Sequence, residues 1–261
     1  MKSSLLGCTR ARPSSVRNLA LALRTLGGKM EAEELRELVS PVRQPDSHWQ
    51  DNLAACEGLG LIERSPNDDS VLLTPADFPD IVEPAGYARF LRRRFQDGEN
   101  ADSFTEHVYA AYRKALVIPL DEKSGGVPDT QVVDAMAVGG PFNNEKAPLW
   151  RDWIEAAELG ASAGAALVPV PTIALREEIC AGNLRGRATI GEFLRTADEL
   201  GIPLLGPGEG HQLPIGTALA LQQLQEDGLI ELEMVNDSPE QWQWLSAPRT
   251  HIQVRAEGHR A

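Results

Sequence analysis

The stretch Leu221-Gln-Gln-Leu-Gln-Glu-Asp-Gly-Leu-Ile-Glu231 follows nearly the same pattern as Leu53-Ala-Ala-Cys-Glu-Gly-Leu-Gly-Leu-Ile-Glu63. In both copies an apolar helical stripe ends at a glycine and runs into Leu-Ile-Glu, which is typical of a short strand. A turn-forming segment rich in Asn, Asp, Ser and Pro follows each strand. A helix that ends at glycine and leads into a β-hairpin is the last third of a winged helix-turn-helix. The repeat therefore predicts a chain built from such units.

The helix, turn and strand signals around the two copies predict a fold that is mainly α with short β-hairpins, arranged as tandem winged helix-turn-helix units. Proline and acidic residues mark a linker between the first and second segments. The predicted domains are a winged-helix unit at 14–75, a helical middle domain at 84–165, a C-terminal winged-helix unit at 166–245 and a flexible tail at 246–261.

The middle domain is interpreted as a degenerate winged helix, because part of it resembles the third helix of the first unit. Trp150-Arg-Asp-Trp-Ile-Glu-Ala156 aligns with Trp49-Gln-Asp-Asn-Leu-Ala-Ala55. With one residue deleted, Gly160 aligns with Gly60, and residues 161–164 then fit a minimal wing turn. The alignment predicts that Gly160 ends this helix and that a short hairpin follows it.

The C-terminal unit is predicted to contain three helices and a hairpin. Thr189 and Glu192 form a capping-box pair at the start of the second helix. The third helix is placed at about 215–227, and the hairpin is expected to pair 229–235 with 241–245. In the first unit, Ser14 or Ser15 is the expected N-cap of the first helix.

Composition places the chain among ordinary globular proteins. Of its 261 residues 42% are hydrophobic and 24% charged, and no apolar run of about 18 residues occurs, so no membrane span is predicted. The apolar stretch near Met1 is too short for a signal peptide, which favours a cytoplasmic location. Cys8, Cys56 and Cys180 are widely spaced, which argues against disulfides and zinc; Cys56 is expected in a core.

No arrangement of residues in the sequence indicates catalysis. The chain lacks a Walker phosphate loop, a dinucleotide-binding glycine fingerprint and a nucleophile elbow. Its histidines are scattered without the i+3 or i+4 spacing of a metal site, and Gly206-Pro-Gly-Glu-Gly210 is interpreted as a surface loop. The chain is therefore predicted to be a non-enzyme without catalytic residues, cofactor or metal.

The distribution of charge bears on what the predicted third helices contact. The net charge is −13, and residues 166–245 have four basic and twelve acidic residues, a net of −8. Because phosphate contacts dominate affinity for DNA, this surface favours a protein partner over duplex. Reading of a major groove by the first unit remains an alternative, and its candidate recognition-helix contacts are Ser47, His48, Gln50 and Asp51.

One basic cluster departs from the acidic balance. It lies on the helix predicted around 86–95, and two further cations follow on the next predicted helix. A solvated helix face is one reading, since charge runs on helices are usually solvated. The other is contact with nucleic acid or an acidic partner, through Arg89, Arg92, Arg93, Arg94, Arg113 and Lys114.

The segments Phe142-Asn-Asn, Trp150 with Trp153, Leu159-Gly160 and Pro169-Val-Pro-Thr172 resemble the small winged-helix protein of bacterial islands that modify DNA with 7-deazaguanine and restrict unmodified DNA. A leucine-rich helix followed by an acidic helix and a proline near the N-terminus is also similar. The resemblance implies a non-enzymatic accessory subunit of an anti-phage defence system. It carries over no catalytic residue.

The expected function is therefore a non-catalytic interaction subunit that binds a larger subunit of a DNA-processing or defence assembly. Two alternatives stay open. In one alternative the chain is a DNA-binding transcriptional regulator. In the other it resembles the winged-helix partners of kleisins in chromosome-organising complexes. For the interaction subunit and for the kleisin-partner-like subunit, nucleic acid is expected to be bound mainly by the partner protein. None of the three hypotheses involves a membrane.

Overall fold

The computed structural model describes residues 4–39, 45–65, 70–74, 81–100, 104–136, 142–207, 210–236, 238, 240–243 and 247–255, with the backbone alone at 98–100. These residues form a mainly α structure with short antiparallel strands, which confirms the predicted fold class at that level. The described chain has no helix with the length and apolar character needed to cross a bilayer. Several segments of the sequence predictions lie outside the described residues. They are the turn at 66–69 after the first repeated strand, the linker at 75–80, and residues 244–246 and 256–261 of the predicted C-terminal strand and tail.

The first set of elements begins with a short 3-10 helix, Leu5–Gly7. In the antiparallel sheet of this set, the central strand β3 (Ser70–Leu73) lies between β1 (Lys29–Glu31) and β2 (Ile62–Arg64). Met30 lies opposite Val71, and Ile62 lies opposite Leu73. The elements are α1 Pro13–Thr25, β1 Lys29–Glu31, α2 Ala32–Val39, α3 Asp46–Gly58, β2 Ile62–Arg64 and β3 Ser70–Leu73, and α4 Pro84–Asn100 follows them.

The second set repeats the same order with shorter strands. Its sheet has the order β4-β6-β5, with Val127 opposite Leu167 and Ala161 opposite Val168. The predicted short hairpin is confirmed, but residues 161–162, expected in its turn, form its first strand and the turn lies at 163–165. The elements are α5 Glu106–Val117, β4 Val127–Pro128, α6 Asp129–Met136, α7 Ala147–Ala156, β5 Ala161–Ser162 and β6 Ala166–Val168.

The third set has the same order again. Its sheet has the order β7-β9-β8, with Ala188 opposite Ile252 and Ile230 opposite Val254. The predicted capping box is confirmed at the start of the second helix. The Thr189 hydroxyl oxygen accepts a hydrogen bond from the Glu192 backbone amide, and the Glu192 carboxylate accepts one from the Thr189 backbone amide. The elements are α8 Thr172–Cys180, β7 Arg187–Thr189, α9 Ile190–Glu199, α10 Ile215–Glu226, β8 Ile230–Glu233 and β9 His251–Val254.

Helix, strand, helix, helix, strand and strand therefore recur three times, each time with the last strand in the centre of its sheet. By packing, the chain divides into two compact units: Met1–Tyr109 with Pro141–Ala156, and Ala110–Gly140 with Ala157–Ala261. Within the first, Trp150 and Trp153 are fully buried, and the Trp150 indole N–H donates a hydrogen bond to the Val108 carbonyl at 3.0 Å.

The two glycines of the repeated pattern end their helices in the same way. Gly60 and Gly228 have φ of 74° and 73°, in the left-handed region that favours glycine. The following leucine amide in each case donates back across the last turn, from Leu61 to the Cys56 carbonyl and from Leu229 to the Leu224 carbonyl, both at 2.9 Å. This is the Schellman arrangement, so the glycine-terminated helices predicted from the sequence are confirmed.

The equivalent position in the second set is Glu158, not Gly160. Glu158 has φ of 59° and is the one non-glycine residue with positive φ among those described. Gly160 is required for a different reason: a Cβ there would lie 2.6 Å from the Val168 carbonyl oxygen. The aligned glycine therefore permits a close approach of the hairpin strands and does not end the helix.

Two other predictions made from the sequence were wrong, one about the C-terminal hairpin and tail and one about the start of α1. The central strand of the third sheet is His251–Val254, in the segment expected to be a flexible tail, whereas Trp242 and Gln243 of the expected strand form isolated bridges only. Thr250, Ile252 and Val254 are buried and alternate with less buried residues, which is the period of a strand. In addition, α1 begins at Pro13, so neither Ser14 nor Ser15 caps it.

Candidate protein-interaction surface

The third helix of the first set, α3, is the helix that would enter a major groove if this part of the chain read DNA. Among its candidate contacts only Gln50 is exposed, and Ser47 and His48 are half-buried. Asp51 is 4% exposed, and its carboxylate accepts a hydrogen bond from the Arg10 amide at 2.9 Å. The expectation that Asp51 lies on an open face is therefore corrected: it is a buried acceptor.

A segment near the N-terminus covers this face of α3. Leu5, Leu6, Cys8 and Ala11 are all buried. The Leu5 amide donates to the Phe104 carbonyl at 2.6 Å, and the Arg12 amide donates to the Asn52 side-chain oxygen at 3.2 Å. Because backbone donors of residues 10 and 12 are satisfied by side chains of α3, the segment is part of the core. It covers α3 at Asp51 and Asn52, whereas Gln50 stays exposed.

The third helix of the second set, α7, is covered as well. Its residues Leu149, Trp150, Trp153 and Ile154 are buried in the first compact unit, and Phe142 packs edge-on against Trp150 at 5.6 Å. Asp152 lies 3.5 Å from the Arg12 guanidinium. Only Pro148 and Glu155 of α7 are exposed.

The third helix of the third set, α10, keeps an open face. Six of its residues are exposed, and two of these are large and apolar: Ile215 is 43% exposed and Leu219 37%. Its buried side holds Ala218, Leu221 and Leu224 against the core. The exposed residues are Ile215, Leu219, Gln222, Gln223, Gln225 and Glu226. We call these six residues the α10 face.

The α10 face contains no cation. Gln222 donates to Glu226 at 2.9 Å, and Gln223 donates to Asp227 at 3.1 Å, so the amides hold the carboxylates at the C-terminal end of the helix. Asp227 also pairs with Arg176 of α8. A helix C-terminus is itself the negative end of the helix dipole, which adds to the negative potential there.

Arg187 of β7 and Arg255, which follows β9, are also paired with carboxylates. Arg187 lies 2.7 Å from Glu233, and Arg255 pairs with Glu231. Exposed ion pairs of this kind contribute little stability. They do place a carboxylate beside each guanidinium, which weakens any attraction of these arginines for phosphate.

The basic cluster of α4 is only partly at the surface. Arg93 is exposed and Arg89 half-buried, whereas Arg92 is fully buried. Arg94 donates to the Gly58 carbonyl at 3.4 Å. The expectation that Arg92 contacts a ligand is corrected, because a guanidinium with no exposed surface cannot reach one. Contact by Arg89, Arg93 and Arg94 stays a prediction.

The two cations predicted to extend this cluster lie on α5. Arg113 is half-buried, and its guanidinium lies 3.7 Å from the Asp198 carboxylate and 3.5 Å from the Leu205 carbonyl. Lys114 is half-buried as well. Part of the positive charge of Arg113 is thus offset by Asp198 within the second compact unit. A ligand contact by Arg113 or Lys114 stays a prediction.

A cleft of about 530 Å³ lies beside the third sheet, and no sequence pattern predicted it. Its lining includes Cys180, Arg185 and Arg255. The two arginines favour an anion, but Arg255 is paired with Glu231 and the cleft lies at the C-terminal end of α8. That helix end repels anions. The electrostatics of the cleft therefore give no consistent match for an anion.

The buried titratable groups Cys56 and Tyr112 have shifted pKa values. Burial raises the pKa of the Cys56 thiol and of the Tyr112 phenol, whose hydroxyl donates to the Leu159 carbonyl at 2.7 Å. Both groups are enclosed and neutral, as core residues are. Within the ranges that the structure describes, no group of three or more His, Cys, Asp or Glu side chains is arranged to hold a metal ion.

Comparisons with protein-family models, with curated proteins and with solved structures found no match to this chain.

Proposed function

We propose that the three recurring sets of elements are winged-helix units. The support is their order, helix-strand-helix-helix-strand-strand, and the sheet order in which the last strand lies between the first and second. In a winged helix the third helix is the one that faces a ligand, and the last two strands form the wing. On this assignment α3, α7 and α10 are the three helices in the recognition position.

The proposed function is a non-catalytic interaction subunit that binds a larger protein through the third unit. One observation carries it: α10 has six exposed residues, whereas α3 and α7 have two each. The α10 face presents Ile215 and Leu219 among glutamines and a carboxylate, without a cation. Exposed large apolar side chains rimmed by polar residues are typical of protein contacts. Duplex binding needs cations at the same positions.

The assembly that receives the subunit is proposed from the sequence resemblance. That resemblance favours a bacterial DNA-processing or anti-phage defence complex, in which nucleic acid is bound mainly by the partner. A kleisin-type partner in a chromosome-organising complex would use the same kind of winged-helix surface. The α10 face fits either assembly, because in both the winged helix contacts polypeptide.

The proposal is tested by measuring duplex binding and partner binding side by side. Fluorescence anisotropy with random and host-derived duplex should give no saturable binding below about 100 µM at physiological salt. Purification of the tagged full chain from its native host should recover a partner at fixed stoichiometry, and Leu219→Asp should lose it. Tight, salt-sensitive duplex binding that Arg93→Glu abolishes would instead support the DNA-binding regulator.

The matched control for Leu219→Asp is Leu26→Asp. Leu26 is 43% exposed and lies at the end of α1, away from the third unit in sequence. Both variants replace an exposed leucine with aspartate, so their effects on net charge and solubility are the same. A partner that is lost with both variants, or with neither, would count against the α10 face.

A further inference from the structure

The α10 face changes from apolar to polar along the helix, and this order indicates what kind of partner binds to it. Ile215, Leu219, Gln222 and Glu226 follow one another at intervals of three or four residues, so they lie on one side of the helix over about 16 Å. The N-terminal half of this line is apolar. The C-terminal half is polar and ends at the Glu226 carboxylate, which accepts from Gln222.

We infer that the α10 face binds an amphipathic helix of a partner protein, one that presents two large apolar side chains and, about two turns along the same side, Lys or Arg. The apolar residues would cover Ile215 and Leu219, and the cation would meet Glu226 about 10 Å further along. This inference rests on the proposed function, and it adds the chemistry of the partner segment and the spacing of its apolar and basic side chains.

Charge complementarity selects this occupant. The third set of elements, residues 166–255, has six basic and twelve acidic residues, a net charge of −6, and the end of α10 adds the negative pole of the helix dipole. Near that end, Arg176 is already paired with Asp227. A cation on the partner is therefore attracted to this end of the face, whereas a carboxylate there is repelled.

A second copy of the chain does not fit the same face. In a symmetric antiparallel pair, Glu226 of one copy would lie against the apolar Ile215 of the other, where its carboxylate would lose water without gaining a partner. In a parallel pair the two Glu226 carboxylates would face each other. Neither arrangement is complementary, and a whole-chain charge of −13 opposes self-association further.

The test uses the full chain and two synthetic helical peptides of about 18 residues, a length at which alanine-rich helices form. The first carries two Leu one turn apart and two Lys two turns further along the same side. The second is identical except that both Lys are Glu. Anisotropy titrations at low salt should show the Lys peptide binding about fivefold tighter or more, from the gain and loss of exposed ion pairs.

Two variants of the protein complete the test. Leu219→Asp should weaken the Lys peptide about tenfold or more, because it removes the apolar contact. Glu226→Lys should reverse the order of the two peptides, which a variant that merely unfolds could not do. Leu26→Asp should change neither affinity. Circular dichroism of each variant checks that the helices are retained.

Several results would overturn the inference. Equal binding of both peptides, a tighter Glu peptide, or no effect of Leu219→Asp would each do so, as would a concentration-dependent dimer that Leu219→Asp dissolves. If the native partner still depends on Leu219 while the peptides are not discriminated, the inference fails and the proposed function stands. If the native partner is indifferent to Leu219, the proposed function itself fails.

Discussion

Replacing Leu5 with alanine tests whether the segment before α1 is a structural part of the first unit. Leu5 has no exposed surface, and its amide donates to the Phe104 carbonyl at 2.6 Å. Truncating a fully buried leucine removes its transfer free energy and leaves a cavity, which together cost about 3 kcal/mol, within a range of about 2 to 5. The backbone hydrogen bond is retained, so the loss measures side-chain packing alone.

The assay is urea unfolding followed by tryptophan fluorescence, since Trp49, Trp150 and Trp153 all lie in the first compact unit. With a urea m-value of about 2 to 3 kcal/mol/M, the midpoint of that unit should fall by about 1 to 1.5 M. The control is Leu26→Ala, at a leucine that is 43% exposed, where a change below about 1 kcal/mol is expected.

Hydrogen exchange of the Arg10 amide provides the second readout. That amide donates to the buried Asp51 carboxylate, so it should be strongly protected in the wild type and less protected in Leu5→Ala. A destabilisation below about 1 kcal/mol, together with an Arg10 amide that exchanges as in an unfolded peptide, would refute the reasoning. The segment would then not cover α3, and duplex reading by the first unit would have to be reconsidered.

Three further predictions concern the second compact unit. Gly216→Ala should destabilise it by about 2 to 3 kcal/mol in thermal or urea unfolding, because the new Cβ would lie 2.1 Å from the Pro169 carbonyl oxygen. Hydrogen bonds from the Thr189 amide and hydroxyl hold the pKa of the Glu192 carboxyl below its ordinary value. Glu192→Gln should therefore lower stability at neutral pH, and the difference should vanish as pH falls through the lowered pKa. Cys180 is exposed and the other two cysteines are buried, so a thiol reagent at pH 8 should label Cys180 alone in the folded chain.

Each of these predictions has its own control. Gly228→Ala places a methyl group in open space, so it should cost only the roughly 1 kcal/mol of a left-handed alanine. A Gly216→Ala variant no worse than this would contradict the close approach. Glu192→Gln that remains destabilising at low pH would contradict the ionic part of the capping box. Rapid labelling of more than one thiol before urea is added would contradict the burial of Cys8 and Cys56.

Local features of the fold could be predicted from the sequence because local rules determine them. The glycines at 60 and 228 end their helices as predicted, since a left-handed residue after an apolar stripe is a short-range signal. The capping box at Thr189 and the core position of Cys56 have the same basis. The first strand of each set was missed, because two or three residues are too few to show an alternation of apolar and polar side chains.

The candidate site depended on contacts that no local pattern contains. Asp51 was predicted on an open face, and it is buried by a segment about forty positions earlier in the chain. Arg92 looked like its exposed neighbour Arg93, although the packing of α4 encloses only the former. Conversely, Ile215 and Leu219 have the spacing of an ordinary core stripe. Only the packing of α10 distinguishes their open side from the buried side with Leu221 and Leu224.

The central place of β9 in its sheet has a consequence for synthesis of the chain. Arg187 pairs with Gln253, so a nascent polypeptide that has emerged as far as residue 240 exposes both outer strands with nothing between them. Unpaired strand edges invite association with other chains. We therefore expect ribosome-stalled or protease-clipped forms that lack residues 251–254 to require a chaperone and to aggregate, even though every helix of the third unit has already been made.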